Sequence, residues 1–223
     1  MCGRDSATQR LLQGSAICLG GNWGVTFATE ASVDFNWVDF NKGRTMEMSR
    51  ITALAISVSI LGAIATWLFL TVGSIVIWGA FLAWACFYHS GGDDAAFKST
   101  ITSNVFGVFM ASTTAFIILT VPGGKVLGPT VWPALVAGIS FFLYIIAANI
   151  PAFASIPGTT YGYAATFAYV LQTPDRFTPQ AIGSLSLNSS YIVVSLSMII
   201  GAIFAYASAK GADMLVGSAK APA

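Results

Sequence analysis

The sequence predicts an all-α, polytopic integral membrane helix bundle of about six transmembrane segments, the fifth of them short and readable as broken or re-entrant. Three observations predict it. Of 223 residues, 56% are hydrophobic and 9% charged, with a mean hydropathy of +0.75, whereas soluble domains carry about a quarter charged residues. Asp, Glu, Lys and Arg are absent from residues 51–92, 99–124, 126–174 and 177–209, runs of 42, 26, 49 and 33 positions. A spanning helix needs about 20 apolar residues to cross roughly 30 Å of hydrocarbon, so the runs of 42 and 49 each fold back as two segments.

The first helix is expected over residues 51–72 and the second over 73–89, joined by a tight turn near Thr71, Gly73 and Ser74. The third covers 100–121. Two prolines and three glycines in residues 122–129 stop it, and a fourth helix follows over 130–150. The fifth, Ile156–Gln172, has 17 residues between flanking prolines. A polar lead-in over 184–190 precedes the sixth, whose apolar body covers 191–209.

Orientation follows the distribution of Lys and Arg in short loops. With six crossings and a cytoplasmic N-terminus, Lys42, Arg44, Arg50, Lys98, Lys210 and Lys220 fall inside, against Lys125 and Arg176 outside. A re-entrant fifth segment would put Lys210 and Lys220 outside. Both termini are therefore expected in the cytoplasm, with residues 46–210 as the transmembrane domain and 211–223 as a short cytoplasmic tail.

Residues 1–45 hold scattered charges and no sustained apolar period. Gln13 and Ser15 interrupt the apolar stretch 11–19 and no clean cleavage site follows, which disfavours a signal peptide. The segment is expected to be a poorly ordered extension, with Met46 or Met48 as the start.

Ten Lys and Arg against nine Asp and Glu leave no basic stripe for nucleic acid. Cys2, Cys18 and Cys86 lack C-x-x-C spacing, so neither a disulfide framework nor a zinc site is supported. The sole histidine, His89, lies one turn beyond Cys86 with Asp93 and Asp94 near it, but the spacing crosses a glycine break and no metal is assigned. Ionisable residues are confined to loops, so no catalytic residue and no cofactor is assigned either. The expected partner is the lipid bilayer.

The run Ile156-Pro157-Gly158-Thr159-Thr160-Tyr161-Gly162-Tyr163-Ala164-Ala165-Thr166-Phe167-Ala168, with Trp84-Ala85-Cys86-Phe87-Tyr88 ahead of Gly91-Gly92, resembles the small bacterial inner-membrane proteins of the domain-of-unknown-function family DUF1097. The resemblance covers residues 46–210. It implies location and architecture and assigns no substrate.

Function must then come from the neutral residues, because ion or proton coupling normally leaves a charge within the membrane. Asn149, Pro151, Ser155 and Pro157 predict unwound backbone ahead of the fifth helix, with Ser155 as its cap. Such backbone can border a solute cavity. Alternatively it is an ordinary loop, and Gly158, Gly162 and Thr166 permit close helix packing. Thr159 and Thr166, seven residues apart, share a face with Gly162 between them. On the first reading the solute-path candidates are Asn104, Asn149, Gly158, Thr159, Gly162 and Thr166. Small residues four apart, Ser197, Gly201 and Ala205 on the last helix, Gly79 and Ala83 on the second, Gly107 and Ala111 on the third, form packing faces within or between protomers, and so allow a homo-oligomer. Two functions stand: a channel or facilitator for a small uncharged solute, and a non-transporting membrane subunit that assembles through those faces.

Overall fold

The computed structural model describes residues 49–219 except 174 and 185. The expectations for residues 1–45, for Lys220 and for the end of the tail lie outside the described residues. Within them the chain forms α1 (Arg50–Val72), α2 (Ile77–His89), α3 (Asp94–Thr120), α4 (Gly124–Leu127), α5 (Val131–Ala147), a 3-10 turn (Pro151–Phe153), α6 (Ile156–Gln172), α7 (Pro179–Gly183) and α8 (Ser190–Ala219), with no strand among the described residues.

Local chemistry fixes the boundaries. Ser49 opens α1 by accepting the Thr52 amide on its hydroxyl at 3.1 Å. Gly73 closes it at φ 66°, donating its N–H to the Phe69 carbonyl, a conformation that costs other residues a steric penalty. The expected second helix therefore does not begin at Gly73. It begins at Ile77 and has 13 residues, about 20 Å at 1.5 Å per residue. Asp93 accepts the Ala96 amide at 2.7 Å and starts α3 at Asp94, a turn and a half before the expected Thr100. The expected loop over 122–129 contains α4, and α5 is shorter at both ends than the expected 130–150.

The α6 helix has the expected bounds, and Ser155 caps it as expected, accepting the Gly158 amide at 3.2 Å. It is one unbroken α-helix. Pro157 sits in its first turn, where the missing N–H has no intrahelical acceptor to lose; the irregular backbone is confined to residues 148–155 ahead of it. The α8 helix continues ten residues past the expected end at Ala209, so the beginning of the tail is helical.

Contacts set the helix directions. Ser57 Oγ donates to the Ser208 carbonyl at 2.8 Å and Arg50 pairs with Asp213 at 3.5 Å, so α1 and α8 are antiparallel. The Val76 amide donates to Ser197 Oγ at 2.9 Å and the Tyr88 and Ser208 hydroxyls meet at 2.6 Å, so α2 and α8 are parallel. Ser112 meets Ser190 hydroxyl to hydroxyl at 2.8 Å, and Tyr206 donates to Asp94 at 2.8 Å, which makes α3 antiparallel to α8. Thr114 against Ser140 and Trp132 against the Ile118 carbonyl make α5 antiparallel to α3. Phe153, just before α6, stacks on Phe106, and Gly183, well after it, lies against Phe116; α6 thus runs parallel to α3. The six longer helices alternate in direction along the chain.

Alanines, valines and small hydroxyl residues fill the centre, while Ile60, Trp67, Phe142, Leu171 and Ile203 face outward. An apolar exterior around a small-residue interior is the arrangement lipid selects, because close van der Waals approach replaces hydrophobic drive. The helices α1, α3 and α8 are long and apolar enough to cross a membrane, and α5 is a shorter apolar helix.

Candidate functional site

The most closely packed feature of the bundle is the crossing of α3 and α6. A methyl group placed on Gly107 would collide with the Thr159 carbonyl, and one on Gly162 with the Asn104 carbonyl. Only glycine allows two backbones to touch in this way. One turn nearer the start of both helices, a Cβ on Gly158 would stand 2.9 Å from Ser103 Cβ and 3.3 Å from Cys86 Sγ, which brings the end of α2 against the same place.

Buried polar groups concentrate at this crossing. Asn104 is 1% exposed, and neither its Nδ2 nor its Oδ1 has a hydrogen-bond partner among the described residues. The hydroxyls of Thr100, Ser103 and Thr159 are buried without a hydrogen bond as well; Thr100 has the Cys86 thiol beside it, a weak partner at best. A polar group withdrawn from water without a partner costs about 1–3 kcal/mol, and native structures hold few such groups.

The sequence candidates divide on this geometry. Asn104, Gly158, Thr159 and Gly162 come together at the α3–α6 contact, and Thr166 is buried one turn further along α6. Asn149 does not: it is exposed, and its side chain donates to the Ile146 carbonyl at 2.8 Å, finishing α5. Thr159, Gly162 and Thr166 share the expected face, and that face is buried, with α3 against Thr159 and Gly162. Thr166 spends its hydroxyl on the Gly162 carbonyl of its own helix at 2.9 Å. Thr100 and Ser103 were not among the candidates. Their signal was present, since they lie one turn and one residue ahead of Asn104, but Thr100 looked like a helix end until the Asp93 cap moved that end outward.

The small-residue faces are used inside the protomer. Gly79 lies against Ser197, Gly201 against the Ala80 backbone and Gly107 against Thr159, while Ala83, Ala111 and Ala205 are fully buried. Gly211, which the spacing did not single out, meets Ser57 in the same manner.

At the end where α1 and α3 start, a cavity of about 540 Å³ is lined by Arg50, Asp93, Asp94, Lys210 and Asp213, with Lys210 3.1 Å from Asp94. At the other end one of about 440 Å³ is lined by Ser74, Trp78, Tyr169, Arg176 and Asn188. The residues weighed for a metal are dispersed: Asp93 caps α3, Asp94 pairs with Lys210 and Tyr206, Cys86 is buried against α6, and His89 Nδ1 faces the Tyr161 hydroxyl at 3.3 Å.

Fold and site together define an all-helical bundle of membrane character with a neutral polar crossing at its centre. Residues 55–213 match the model of the family described as protein of unknown function, DUF1097, and the chain belongs to that family. No curated protein and no solved structure matches it.

Proposed function

We propose that this chain is a multi-pass protein of the bacterial inner membrane, with six crossings and both termini in the cytoplasm, that lets a small uncharged solute cross. The observation that carries the reading is Asn104: a carboxamide buried at the junction of α3 and α6 with both its ends unpartnered. A structural asparagine would be expected to bond within the bundle, as Ser57, Ser112 and Thr114 do. Every side chain at the crossing is neutral, which fits an uncharged solute and offers no general acid or base for catalysis.

A second reading, a membrane subunit without transport, is favoured by the backbone contact at Gly107 and Gly162, which leaves no passage in the packed state. Stopped-flow swelling of proteoliposomes with acetamide, urea and glycerol separates the two. Protein-dependent swelling is expected for at least one solute and is expected to weaken in Asn104→Leu. Swelling no faster than in protein-free vesicles, from protein verified as folded, would favour the subunit reading.

A further inference from the structure

The bundle contains an inverted repeat. Each of α1, α2 and α3 runs opposite to its counterpart α5, α6 and α8, and the contacts of the first set recur in the second. Gly107 of α3 fits under the Thr159 carbonyl of α6, and Gly201 of α8 fits under the Ala80 carbonyl of α2. Ser103 lies against Gly158, and Ser197 against Gly79. Thr114 meets Ser140 of α5, and Ser208 meets Ser57 of α1. The α3 and α8 members of these three matches keep one constant offset, and the α2 and α6 members keep another.

Burial follows the same register. Residues 100–111 and 194–205 have the same order of buried, half-buried and exposed positions throughout, as do 79–88 and 158–167. In the antiparallel register set by Ser112 and Ser190, eight residues back along α3 and eight on along α8 stand Asn104 and Met198. They occupy equivalent positions on opposite sides of a pseudo-two-fold axis perpendicular to the helices.

The repeat supplies an internal control, because it shows what the crossing contains when packing alone is required. Where α3 and α6 bury Thr100, Asn104 and Thr159, α8 and α2 bury Val194, Met198 and Ala80. The serine at the crossing is shared, but Ser197 is hydrogen-bonded to the Val76 amide and the Val193 carbonyl, whereas Ser103 is not bonded. The backbone contact is thus achieved without these polar groups in one copy, and the other copy carries them at an energetic cost.

We infer that the α3–α6 crossing is a binding site for a small uncharged solute of the carboxamide class, and that its repeat copy at α8 and α2 is not. The inference rests on the transport reading and names its site and ligand. Asn104 offers two donors and an acceptor in one plane, which a carboxamide or urea complements with a donor and an acceptor of its own. The hydroxyls of Thr100, Ser103 and Thr159 can serve its remaining groups. Inverted repeats commonly hold a substrate near the bilayer midplane, where the two halves meet; Asn104 stands at the level of the pseudo-two-fold axis.

The test writes the apolar copy into the polar one: Thr100→Val, Asn104→Met and Thr159→Ala together, and Asn104→Met alone in case the triple change misfolds. Each installs the residue that the other copy already buries. Exchange of buried unpartnered polar groups for apolar ones is neutral or stabilising, so thermal midpoints in detergent should equal or exceed that of the unmodified chain. Acetamide should raise the midpoint of the unmodified chain and not that of either variant, and acetamide-driven swelling should fall at least tenfold. A fall of the midpoint in both variants would make the polar groups structural and overturn the inference. If the variants swell as fast as the unmodified chain, the site is elsewhere and transport stands. If nothing swells but acetamide stabilises only the unmodified chain, the site stands and the transport reading falls. Neither swelling nor stabilisation would overturn both.

Discussion

Tyr88 at the end of α2 and Ser208 in the second half of α8 meet hydroxyl to hydroxyl at 2.6 Å. Because the Ser208 hydroxyl also lies 2.6 Å from the Ala205 carbonyl, to which it donates, Tyr88 supplies the proton between them. The Ser208 carbonyl in turn accepts Ser57 Oγ of α1 at 2.8 Å. One residue of α8 therefore fastens both helices of the first hairpin. Interhelical hydrogen bonds in membranes are worth about 0.6 kcal/mol on average. Tyr88→Phe and Ser57→Ala are each expected to lower stability by about that amount, read as the midpoint of unfolding in a denaturing detergent. The double variant should cost roughly the sum if the two bonds act independently; a large deficit or excess would show that Ser208 couples them.

Glycines in the bundle differ in what surrounds them, and this separates their substitutions. A methyl group on Gly107 meets the Thr159 carbonyl, while one on Gly138 of α5 meets nothing within 4 Å. Gly107→Ala is expected to cost about 1–3 kcal/mol or more through overpacking, and Gly138→Ala to stabilise by about 0.5–1 kcal/mol through helix propensity. Thermal midpoints in detergent give the order. Equal midpoints would mean that α3 and α6 part more readily than their contact implies.

Gly201→Leu tests where the stripe on the last helix is used. The sequence allowed that face to pack within or between protomers, and the structure puts Gly201 against the Ala80 backbone of the same chain. The variant should insert into the membrane, lose thermal stability and keep the oligomeric state of the unmodified protein. A changed elution volume in detergent with unchanged stability would move the contact to a partner protomer.

Much of this fold was legible because it is written in local chemistry. The bounds of α6 follow from Ser155 as a cap, Pro157 in the first turn and the prolines beyond its end. The apolar run starts α3 late because Asp94 and Lys98 lie outside it, although a helix can leave the apolar layer and continue; Asp93 as a cap is the available sign. Asn149 was grouped with the site because an amide beside prolines looks the same in sequence whether it lines a cavity or finishes a helix. The repeat was invisible because its two copies share burial and contacts while differing in chemistry at the informative positions. Ser103 with Gly107 and Ser197 with Gly201 were its traces, and spacing does not show which helix each pair meets.

Accessibility along α6 discriminates a covered face from an open one. In a background with Cys2, Cys18 and Cys86 replaced, a cysteine at position 160 should react with a small water-soluble thiol reagent, because Thr160 is exposed in the first turns of the helix. A cysteine at 166 should not react, because Thr166 is fully buried against the rest of the bundle. Reaction at 166 that acetamide suppresses would reveal an opened state of the crossing; reaction at 166 indifferent to solute would mean that this face is never packed.

Topology is the last expectation. Arg50, Lys98 and Lys210 stand at one end of the bundle, tied there by Arg50 to Asp213 and Lys210 to Asp94, and Lys125 and Arg176 stand at the other. In the sequence the first group is joined by Lys42, Arg44 and Lys220, which makes six basic residues against two. Acidic residues contribute little to orientation, so the pairing of Lys210 with Asp94 does not cancel the bias. Six helices of alternating direction return the chain to the end where it began. If each of them crosses, the start of α1 and the end of α8 lie on one side, and the basic bias makes that side the cytoplasm. The weak point is α2, whose 13 residues span about 20 Å against roughly 30 Å of hydrocarbon, so its crossing requires local thinning of the bilayer or burial among α3, α6 and α8. It packs against α1, α3, α6 and α8, and its loss would leave α1 and α3 running the same way without a return. Reporter fusions after Lys98 and Lys210 should therefore read cytoplasmic, and fusions after Lys125 and Arg176 should read outside. A fusion after Lys210 on the outside would rule out six crossings, and with the Arg176 fusion reading cytoplasmic it would make α6 re-entrant.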